Sequence, residues 1–310
     1  MDKFYRIQPI YEERIWGGQK IREEFHYQTD LQNIAEAYHV IAIPGHLDNL
    51  VEGENIPLSQ FYQQHRDLFD CDADALPVRL VTACADGKLS VHLHPTDAYG
   101  LAHDQMRGKI EGGFALTDSD AEVEFMIGHT AQSMEELKSK VENGEWDTLL
   151  RKVKGKATDF THTPIGTLHA ESGDGSVIMV AYSTNGDVTY RLYDYDRNDP
   201  KRPLNIQGVL DNIRIPDDEI RPYPVTPYQS KGCLIYDYYS KPKEYVGKRI
   251  ETTPNARYQQ EEFMFILCLE GETAINGMKI KPGETLFVPA HSSELIFDQA
   301  ADLCILSYLD

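Results

Sequence analysis

The chain has no excess of positive charge, and this absence limits its possible partners. Its 310 residues carry 30 Lys and Arg against 50 Asp and Glu, which gives a formal net charge of −20. A field of this sign repels nucleic acids and acidic membrane surfaces, so we expect neither as a partner. A small phosphorylated ligand remains compatible with this charge if local Lys and Arg side chains line its pocket.

Long apolar runs and paired cysteines are also missing. No run of about eighteen apolar residues is present that could span a bilayer, and residues 1–5 lack the apolar core of a signal peptide. The five cysteines are scattered and include no CxxC pair, so we expect no disulfide framework. These absences predict a reduced, cytoplasmic protein without a membrane segment. We expect it to be a monomer or a homodimer.

What the sequence does contain is a series of short β-type segments separated by Gly, Pro, Asn and Asp. This spacing is typical of antiparallel sandwiches and barrels, so we predict a mainly β fold. A capping box at Ser133 and Glu136 predicts a helix that ends at Gly144. Further short helices are predicted over 58–68, 96–107 and 145–153. The predicted strands cover 38–43, 78–83, 88–94, 121–128, 176–182, 187–193, 262–269, 273–275, 285–288 and 303–308.

Three histidines and one glutamate have the pattern of a metal site. His92 and His94 are two residues apart, so on a β-strand their side chains project from the same face. Glu111 follows in GKIE, and His169 follows in PIGTLH, where the proline and glycine favour a tight turn that presents the imidazole. Three imidazoles and a carboxylate suit a divalent transition metal, and we predict that these four residues bind one. His162 shows no comparable grouping, and we expect it at the surface or beside the site.

A proline-rich stretch at 221–227 predicts a boundary between two units. Residues 158–169 and 283–294 both read as a turn, a strand and a proline-led bend, and Glu294 takes the place of His169 in the second copy. We therefore predict two related β units. Residues 1–225 would form the metal-binding catalytic unit with helical insertions, and residues 226–310 a C-terminal unit without metal.

Five motifs point to one family. The chain reads RIWGG at 14–18, LSVHLHPTD at 89–97, GKIE at 108–111, PIGTLHA at 164–170 and DVTYRLYDYDR at 187–197. These segments resemble the IWGG, LSVQVHPDD, GKxE, PxGTxHA and SDTTYRxYDYDR motifs of the type I mannose-6-phosphate isomerases, in their short bacterial form. The resemblance covers nearly the whole chain. The last motif is the most specific, because neither metal binding nor strand formation requires it.

The resemblance implies a cupin-type fold of jelly-roll β-barrels with a few short inserted helices. It implies one zinc ion per chain, held by His92, His94, Glu111 and His169. It further implies that Arg191 is the active-site arginine, that Asp187 is an acid/base or sugar-contacting group, and that Lys109 lines the pocket. The implied reaction interconverts mannose 6-phosphate and fructose 6-phosphate through a cis-enediol. His92 replaces a glutamine of the family motif, and an imidazole suits zinc at least as well as an amide oxygen.

Two segments depart from the family pattern and keep other functions open. The family's GExWE appears as AEAYH at 35–39, and its acidic, glutamine-rich stretch appears as AYSTNG at 181–186. A sugar-binding paralogue that holds metal without turnover is one alternative, and a cupin oxygenase using iron or manganese is another. Taken without the resemblance, Lys109 and Asp187 are compatible with a solvated charge and a turn residue. The residues that seat a phosphate stay open, with Lys88, Lys109 and Arg197 as candidates.

Overall fold

The structure, a computed structural model, describes residues 3–118, 120–170 and 177–310. The strands are β1 (Tyr5–Gln8), β2 (Ile10–Gly18), β3 (Ile34–Val40), β4 (Leu50–Val51), β5 (Ile56–Pro57), β6 (Val78–Ala83), β7 (Val91–Leu93), β8 (Glu111–Leu116), β9 (Glu122–His129), β10 (Leu150–Lys156), β11 (Thr161–Thr163), β12 (His169–Ala170), β13 (Ile178–Thr184), β14 (Tyr190–Tyr193), β15 (Tyr228–Ser230), β16 (Cys233–Ser240), β17 (Val246–Thr252), β18 (Ala256–Tyr258), β19 (Met264–Glu270), β20 (Thr273–Ile275), β21 (Met278–Ile280), β22 (Thr285–Val288), β23 (Leu295–Phe297) and β24 (Ala301–Ser307). The helices are α1 (Lys20–Glu24), α2 (Leu58–Gln64), α3 (Arg66–Phe69), α4 (Asp97–Asp104), α5 (Met134–Glu142), α6 (Trp146–Leu149) and α7 (Ile206–Asn212).

The described chain divides into two compact units. The first unit contains the residues up to Ala83, Tyr182–Asn185 and Val225–Asp310. The second unit contains the described residues of 84–181 and 186–224. The contacts thus group the N-terminal residues with the C-terminal segment. The predicted domains, 1–225 and 226–310, and their common origin stay predictions.

The first unit is built around an antiparallel sheet with the strand order β15-β16-β17-β24-β19-β22-β1-β4-β5. A smaller sheet, in the order β18-β23-β20-β21, supplies the other side of its core. Leu286, Ile266 and Ile305 of the large sheet and Leu295 and Phe297 of the small sheet belong to one fully buried apolar cluster. The interior between these two sheets is therefore an apolar core.

The second unit contains one complete sheet and part of another. One has the strand order β10-β9-β12-β7-β14, and the other contains β11, β8 and the first half of β13 as neighbours. Val91 and Leu93 of β7 point away from His92 and join an apolar cluster with Leu137 of α5, Leu149 of α6 and Val209 of α7. The inserted helices thus cover one face of this sheet, and we call the opposite face, which carries His92, the inner face.

The mainly β prediction is confirmed. The strands predicted over 78–83, 273–275 and 285–288 match β6, β20 and β22 at both ends. The predicted cap of α5 is present, since Ser133 Oγ accepts a hydrogen bond from the Glu136 amide at 3.2 Å. Ser176, where one predicted strand begins, lies outside the described residues. In the described part of the chain, no helix is long and apolar enough to cross a membrane.

Two helix predictions are wrong in extent. The helix predicted over 145–153 ends at Leu149, because residues 150–156 form β10 and pair with β9. Along β10, Leu150 and Val153 are buried between more exposed neighbours, and the pairing overrides the short helical pattern. The helix predicted over 58–68 is divided into α2 and α3, because His65 adopts a φ of −128° and a ψ of 43°.

Candidate metal centre and active site

The centre of the site lies on β7, with β12 on one side and β14 on the other. The register places His169 of β12 and Arg191 of β14 opposite His92. On the far side of β12, Ile127 of β9 lies opposite His169. Residues directly opposite each other in antiparallel strands point to the same face. The inner face therefore carries a row of four side chains, in the order Arg191, His92, His169 and Ile127.

The four predicted ligands come together in the structure. Glu111 is the first residue of β8, in the other sheet of the second unit. The ligand atoms of His92, His94, Glu111 and His169 all lie within 4.8 Å of one another, and all four residues are buried. Glu111 Oε1 lies 2.8 Å from His169 Nε2 and 3.5 Å from His94 Nε2. We call these four residues the ligand cluster, and their binding of a metal stays a prediction.

Backbone carbonyls fix the orientation of each imidazole in the ligand cluster. The acceptors are the carbonyl oxygens of Ser90 for His92 (2.7 Å), of Val188 for His94 (2.7 Å) and of Thr167 for His169 (2.9 Å). A carbonyl only accepts hydrogen bonds, so Nδ1 of each ring carries a proton and, in the neutral ring, Nε2 keeps its lone pair. Metal-binding histidines are commonly oriented in this way. The backbone thus selects the tautomer that a metal requires.

The ligand cluster joins groups that repel one another unless a cation lies among them. Nε2 of His94 and of His169 are buried and have no partner in hydrogen-bond geometry, although Glu111 Oε1 is close to both. Converging lone pairs and a buried carboxylate need a positive charge. Protonation of His92 and His94 is disfavoured, because burial lowers the pKa of His94 to about 4 and that of His92 well below its usual value. The donor set therefore fits a divalent metal such as zinc.

Lys109 is part of this arrangement and not a solvated charge. Its Nζ lies 3.0 Å from Glu111 Oε2, and only 8% of the residue is exposed. Burial alone would raise the pKa of Glu111, but the positive charge of Lys109 holds that pKa well below its usual range. One carboxylate oxygen of Glu111 thus faces Lys109, and the other faces the imidazoles. The catalytic role of Lys109 stays a prediction.

Close backbone contacts bring Asp187 to the same region. A Cβ on Gly108 would lie 1.7 Å from the carbonyl oxygen of Pro95, and a Cβ on Gly186 would lie 2.0 Å from that of Gly108. Only glycine permits such an approach. Three segments of the chain therefore run against one another: the one just after His94, the one just before Lys109 and the one just before Asp187. Asp187 is half-buried here, and its acid/base role stays a prediction.

Cationic side chains gather at one edge of the inner face. Arg202 Nη2 donates to Ser90 Oγ at 3.4 Å, and Arg197 donates to the carbonyl oxygen of Lys88. Lys88 Nζ in turn lies 4.9 Å from the ring centroid of Tyr195. We call Lys88, Arg197 and Arg202 the cationic edge. Ser90 is two residues from His92, so this edge adjoins the same face of β7 as the ligand cluster.

The inner face also contains a pocket beside Glu111 and His169. It holds about 350 Å³ of space between atoms, part of which is open to solvent, and we call it the interior pocket. Thr161 and Thr163 of β11 line the interior pocket, so strand alternation directs His162, between them, to the opposite face. His162 is not among the residues of the ligand cluster.

Sequence reasoning missed several residues of the site. Ser90 shares the alternation of His92 and His94, which was a usable signal for its position. Arg202 gave no comparable signal, because its approach to Ser90 depends on the irregular chain that follows β14. The pocket residue Ala181 was noted only as a departure from the family motif. Its place beside Glu111 depends on how β8 and β13 neighbour each other.

Known proteins were compared with the chain at the level of sequence and of structure. No family model matches. The mannose-6-phosphate isomerase ManA of Bacillus subtilis (strain 168) is 33% identical over an alignment of 314 positions that covers 98% of each chain. A crystal structure of a mannose 6-phosphate isomerase from Bacillus subtilis matches with a TM-score of 0.89 at 25% identity, over 100% of both chains.

A zinc-bound holo structure of a mannose 6-phosphate isomerase shares the fold, with a TM-score of 0.74 at 15% identity and coverage of 99% of this chain and 100% of the other. The full-length relative at 33% identity and the fold agree with each other and with the motifs. The family expected from the motifs is therefore confirmed. The chain belongs to the mannose-6-phosphate isomerases, a family of enzymes.

Proposed function

We propose that the protein is a zinc-dependent isomerase that interconverts mannose 6-phosphate and fructose 6-phosphate. The observation that supports this most directly is the inner face of β7. There, three imidazoles with their Nε2 atoms turned inward and one carboxylate converge, and Arg191 lies in register with His92. The family membership supplies the substrate class. The cytoplasmic location and the monomeric or homodimeric state stay predictions.

The reaction moves two protons and needs no external oxidant. In the open-chain aldose, the C2–H bond breaks and a C1–H bond forms, while the proton of the C2 hydroxyl is lost and the C1 carbonyl oxygen gains one. The intermediate is a cis-enediol. A bound zinc ion would supply a redox-inert Lewis acid that polarises a carbonyl oxygen. The remaining requirements are a group that carries the proton between C2 and C1 and a fixed positive charge for the developing oxyanion.

The residues of this chain offer both a group that can carry the proton and a fixed positive charge. Lys109 is buried beside Glu111, and Asp187 lies on the adjoining chain, so these two are the candidates for handling protons. The guanidinium of Arg191 stays protonated at all working pH values and can stabilise an oxyanion next to His92. Val188 holds His94 through its carbonyl oxygen, which ties the position of Asp187 to that of a ligand.

The cationic edge is the proposed seat of the phosphate. Lys88, Arg197 and Arg202 bring three positive charges to one end of β7 in a chain whose net charge is −20. Arg197 is also bonded to Asp194 at 2.7 Å, which fixes its guanidinium. Arginine binds phosphate through several donors in a fixed fork, so it suits this role. Arg191 lies nearer the ligand cluster, in register with His92, and is assigned to the oxyanion.

The test is a coupled assay of mannose 6-phosphate turnover, run with and without a chelator, together with elemental analysis. We expect one zinc per chain, turnover that the chelator abolishes and recovery when zinc is restored. Stoichiometric zinc without turnover would favour the sugar-binding paralogue, which the altered segments 35–39 and 181–186 keep open. Iron or manganese with oxygen uptake would favour the oxygenase.

A further inference from the structure

The interior pocket and Arg191 flank the ligand cluster at opposite ends of one row. The row runs from Arg191 through His92 and His169 to Ile127. Ile127 and His169 line the interior pocket, whereas Arg191 and His92 do not. Neighbouring strands are about 4.8 Å apart, so β14 and β12 lie about 10 Å from each other. The cationic edge lies at the Arg191 end, beside Ser90.

The interior pocket stays open because small residues face it. Gly113 of β8 and Ala181 of β13 line it, together with Phe125 and Met179, which belong to a buried apolar cluster of the second unit. Thr161 Oγ1 donates to the carbonyl oxygen of Gly113 at 3.1 Å, so that hydroxyl is already occupied. Unfilled space in a core forfeits dispersion contacts, and a larger residue at 181 would recover them. The interior pocket lies beside Glu111 and His169 of the ligand cluster, and such a space offers room for a ligand.

We infer that the interior pocket receives the C1 end of an open-chain sugar phosphate, and that Ala181 determines the size of the group admitted. The inference rests on the proposed function. A phosphate on the cationic edge fixes one end of the sugar beyond Arg191. A carbon chain that then runs along the row passes Arg191 and His92, and its other end arrives beside Glu111 and His169. Space for that end exists in the interior pocket.

Ala181 is the position at which the inferred role of the interior pocket can be tested. A Cβ on Gly113 would lie 2.4 Å from the carbonyl oxygen of Val180, so substitution there would disturb the backbone. Ala181 already has a Cβ, so a longer side chain can extend into the interior pocket. The test variants are Ala181→Val and Ala181→Leu. The control is Ala102→Leu, because Ala102 is exposed on α4 of the same unit and away from the pocket lining.

We expect kcat/KM for mannose 6-phosphate to fall about tenfold in Ala181→Val, the scale of one or two added methyl groups in a pocket. In Ala181→Leu we expect a fall of about 100-fold, since a displaced substrate loses its alignment. Zinc content, melting temperature and the Ki of inorganic phosphate should match the wild type in both variants, because the phosphate binds at the other end of the row. Ala102→Leu should be unchanged in every measurement.

Two results would overturn the inference. One is a kcat/KM within twofold of the wild type in Ala181→Leu with full zinc content. The other is an equal weakening of phosphate inhibition, which would indicate a distorted site. If Ala181→Leu does not fold, Ala181→Val is tested in its place. A kcat/KM within threefold of the wild type, or an equal weakening of phosphate inhibition, would then overturn the inference.

If the wild type itself turns nothing over, the proposed function fails and the pocket is tested by binding alone. The probe is then an aldonic acid phosphate, which carries a carboxylate at C1. Its stabilisation of the wild type against heat should be lost in Ala181→Leu, while that given by inorganic phosphate is kept. Equal stabilisation of both proteins by the aldonic acid phosphate would refute the inference.

Discussion

The two units contain the same kind of layered antiparallel sheet but use the space between the sheets differently. In the first unit, Leu286 and Ile266 meet Phe297 in a fully buried apolar core. In the second unit, the corresponding space holds His92 and Glu111 with the other ligands and the interior pocket. Strand alternation directs side chains inward in both cases. Whether a pair of sheets forms a core or a site depends on which residues occupy the inward positions.

The difference has an energetic consequence. An apolar side chain of the first unit contributes about 1.5–3 kcal/mol when it is fully buried. The ligand cluster lacks this contribution, because its buried side chains are polar and need partners. The imidazoles are bonded to the carbonyl oxygens of Ser90, Val188 and Thr167. Glu111 is paired with Lys109. A metal ion binds the folded site in preference to the unfolded chain, so it would return stability to the folded protein.

The largest effect is expected from removing a ligand. His94→Ala should lose the metal and lower kcat by about a thousandfold or more, because removing one of the four buried ligands would weaken the binding of the ion. Elemental analysis and the coupled assay measure both effects. His103→Ala is the matched control, since His103 is exposed on α4, where it hydrogen-bonds the carbonyl oxygen of Tyr99 and stacks on the Tyr99 ring. Zinc retained at full stoichiometry in His94→Ala would remove His94 from the ligand set.

Arg191→Ala should have the next largest effect and separate chemistry from metal binding. We expect kcat to fall about 100- to 1,000-fold with zinc content unchanged, which is the usual scale for losing one group that stabilises an oxyanion. Arg191→Lys should recover part of the loss, because the charge returns without the guanidinium fork. Unchanged activity in Arg191→Ala would refute the proposed role.

Much of the site could be predicted from the sequence, because its parts are short-range patterns. The spacing of His92 and His94 and the Pro-Gly turn before His169 are local, and the structure brings these residues together as expected. Glu111 was predicted from its motif, but its position opposite the imidazoles could be seen only in the folded structure. The polar residues at inward positions were themselves the signal that distinguished this region from an ordinary core.

Other features could not be predicted because they depend on contacts between distant segments. The stacking of Gly108 against Pro95 and of Gly186 against Gly108 joins three separate parts of the chain. The approach of Arg202 to Ser90 and the openness of the pocket at Ala181 are equally non-local. Helix extents failed where pairing competed with local preference, as at Leu150, where β10 begins.

A cavity in the first unit should affect stability and leave the site intact. Phe297→Ala removes a ring that is fully buried in the apolar cluster, and we expect it to lower the free energy of unfolding by about 3–5 kcal/mol. Zinc content and the kcat of the folded protein should stay at the wild-type level. Denaturant titration measures the loss of stability, and elemental analysis and the coupled assay measure zinc content and kcat. A loss of zinc from folded Phe297→Ala would contradict the division of roles between the units.

The smallest effect concerns a surface contact of the first unit. His291 lies 3.0 Å from Glu261 Oε2 through Nδ1 and 2.7 Å from Asp70 Oδ2 through Nε2, and these hydrogen bonds raise its pKa above the usual value. A histidine whose pKa is raised in the folded state adds stability that is fully present below its unfolded pKa of about 6.5. That stability is lost as the pH rises through the folded pKa.

The melting temperature of the wild type should therefore exceed that of His291→Asn at pH 5.5, and the difference should shrink by pH 8.5. Asparagine is the suitable replacement, because residue 291 has a φ of +56° and asparagine tolerates this conformation. The group is exposed, so the effect should be small. A difference between the two proteins that does not change with pH would show that the charge of His291 adds nothing.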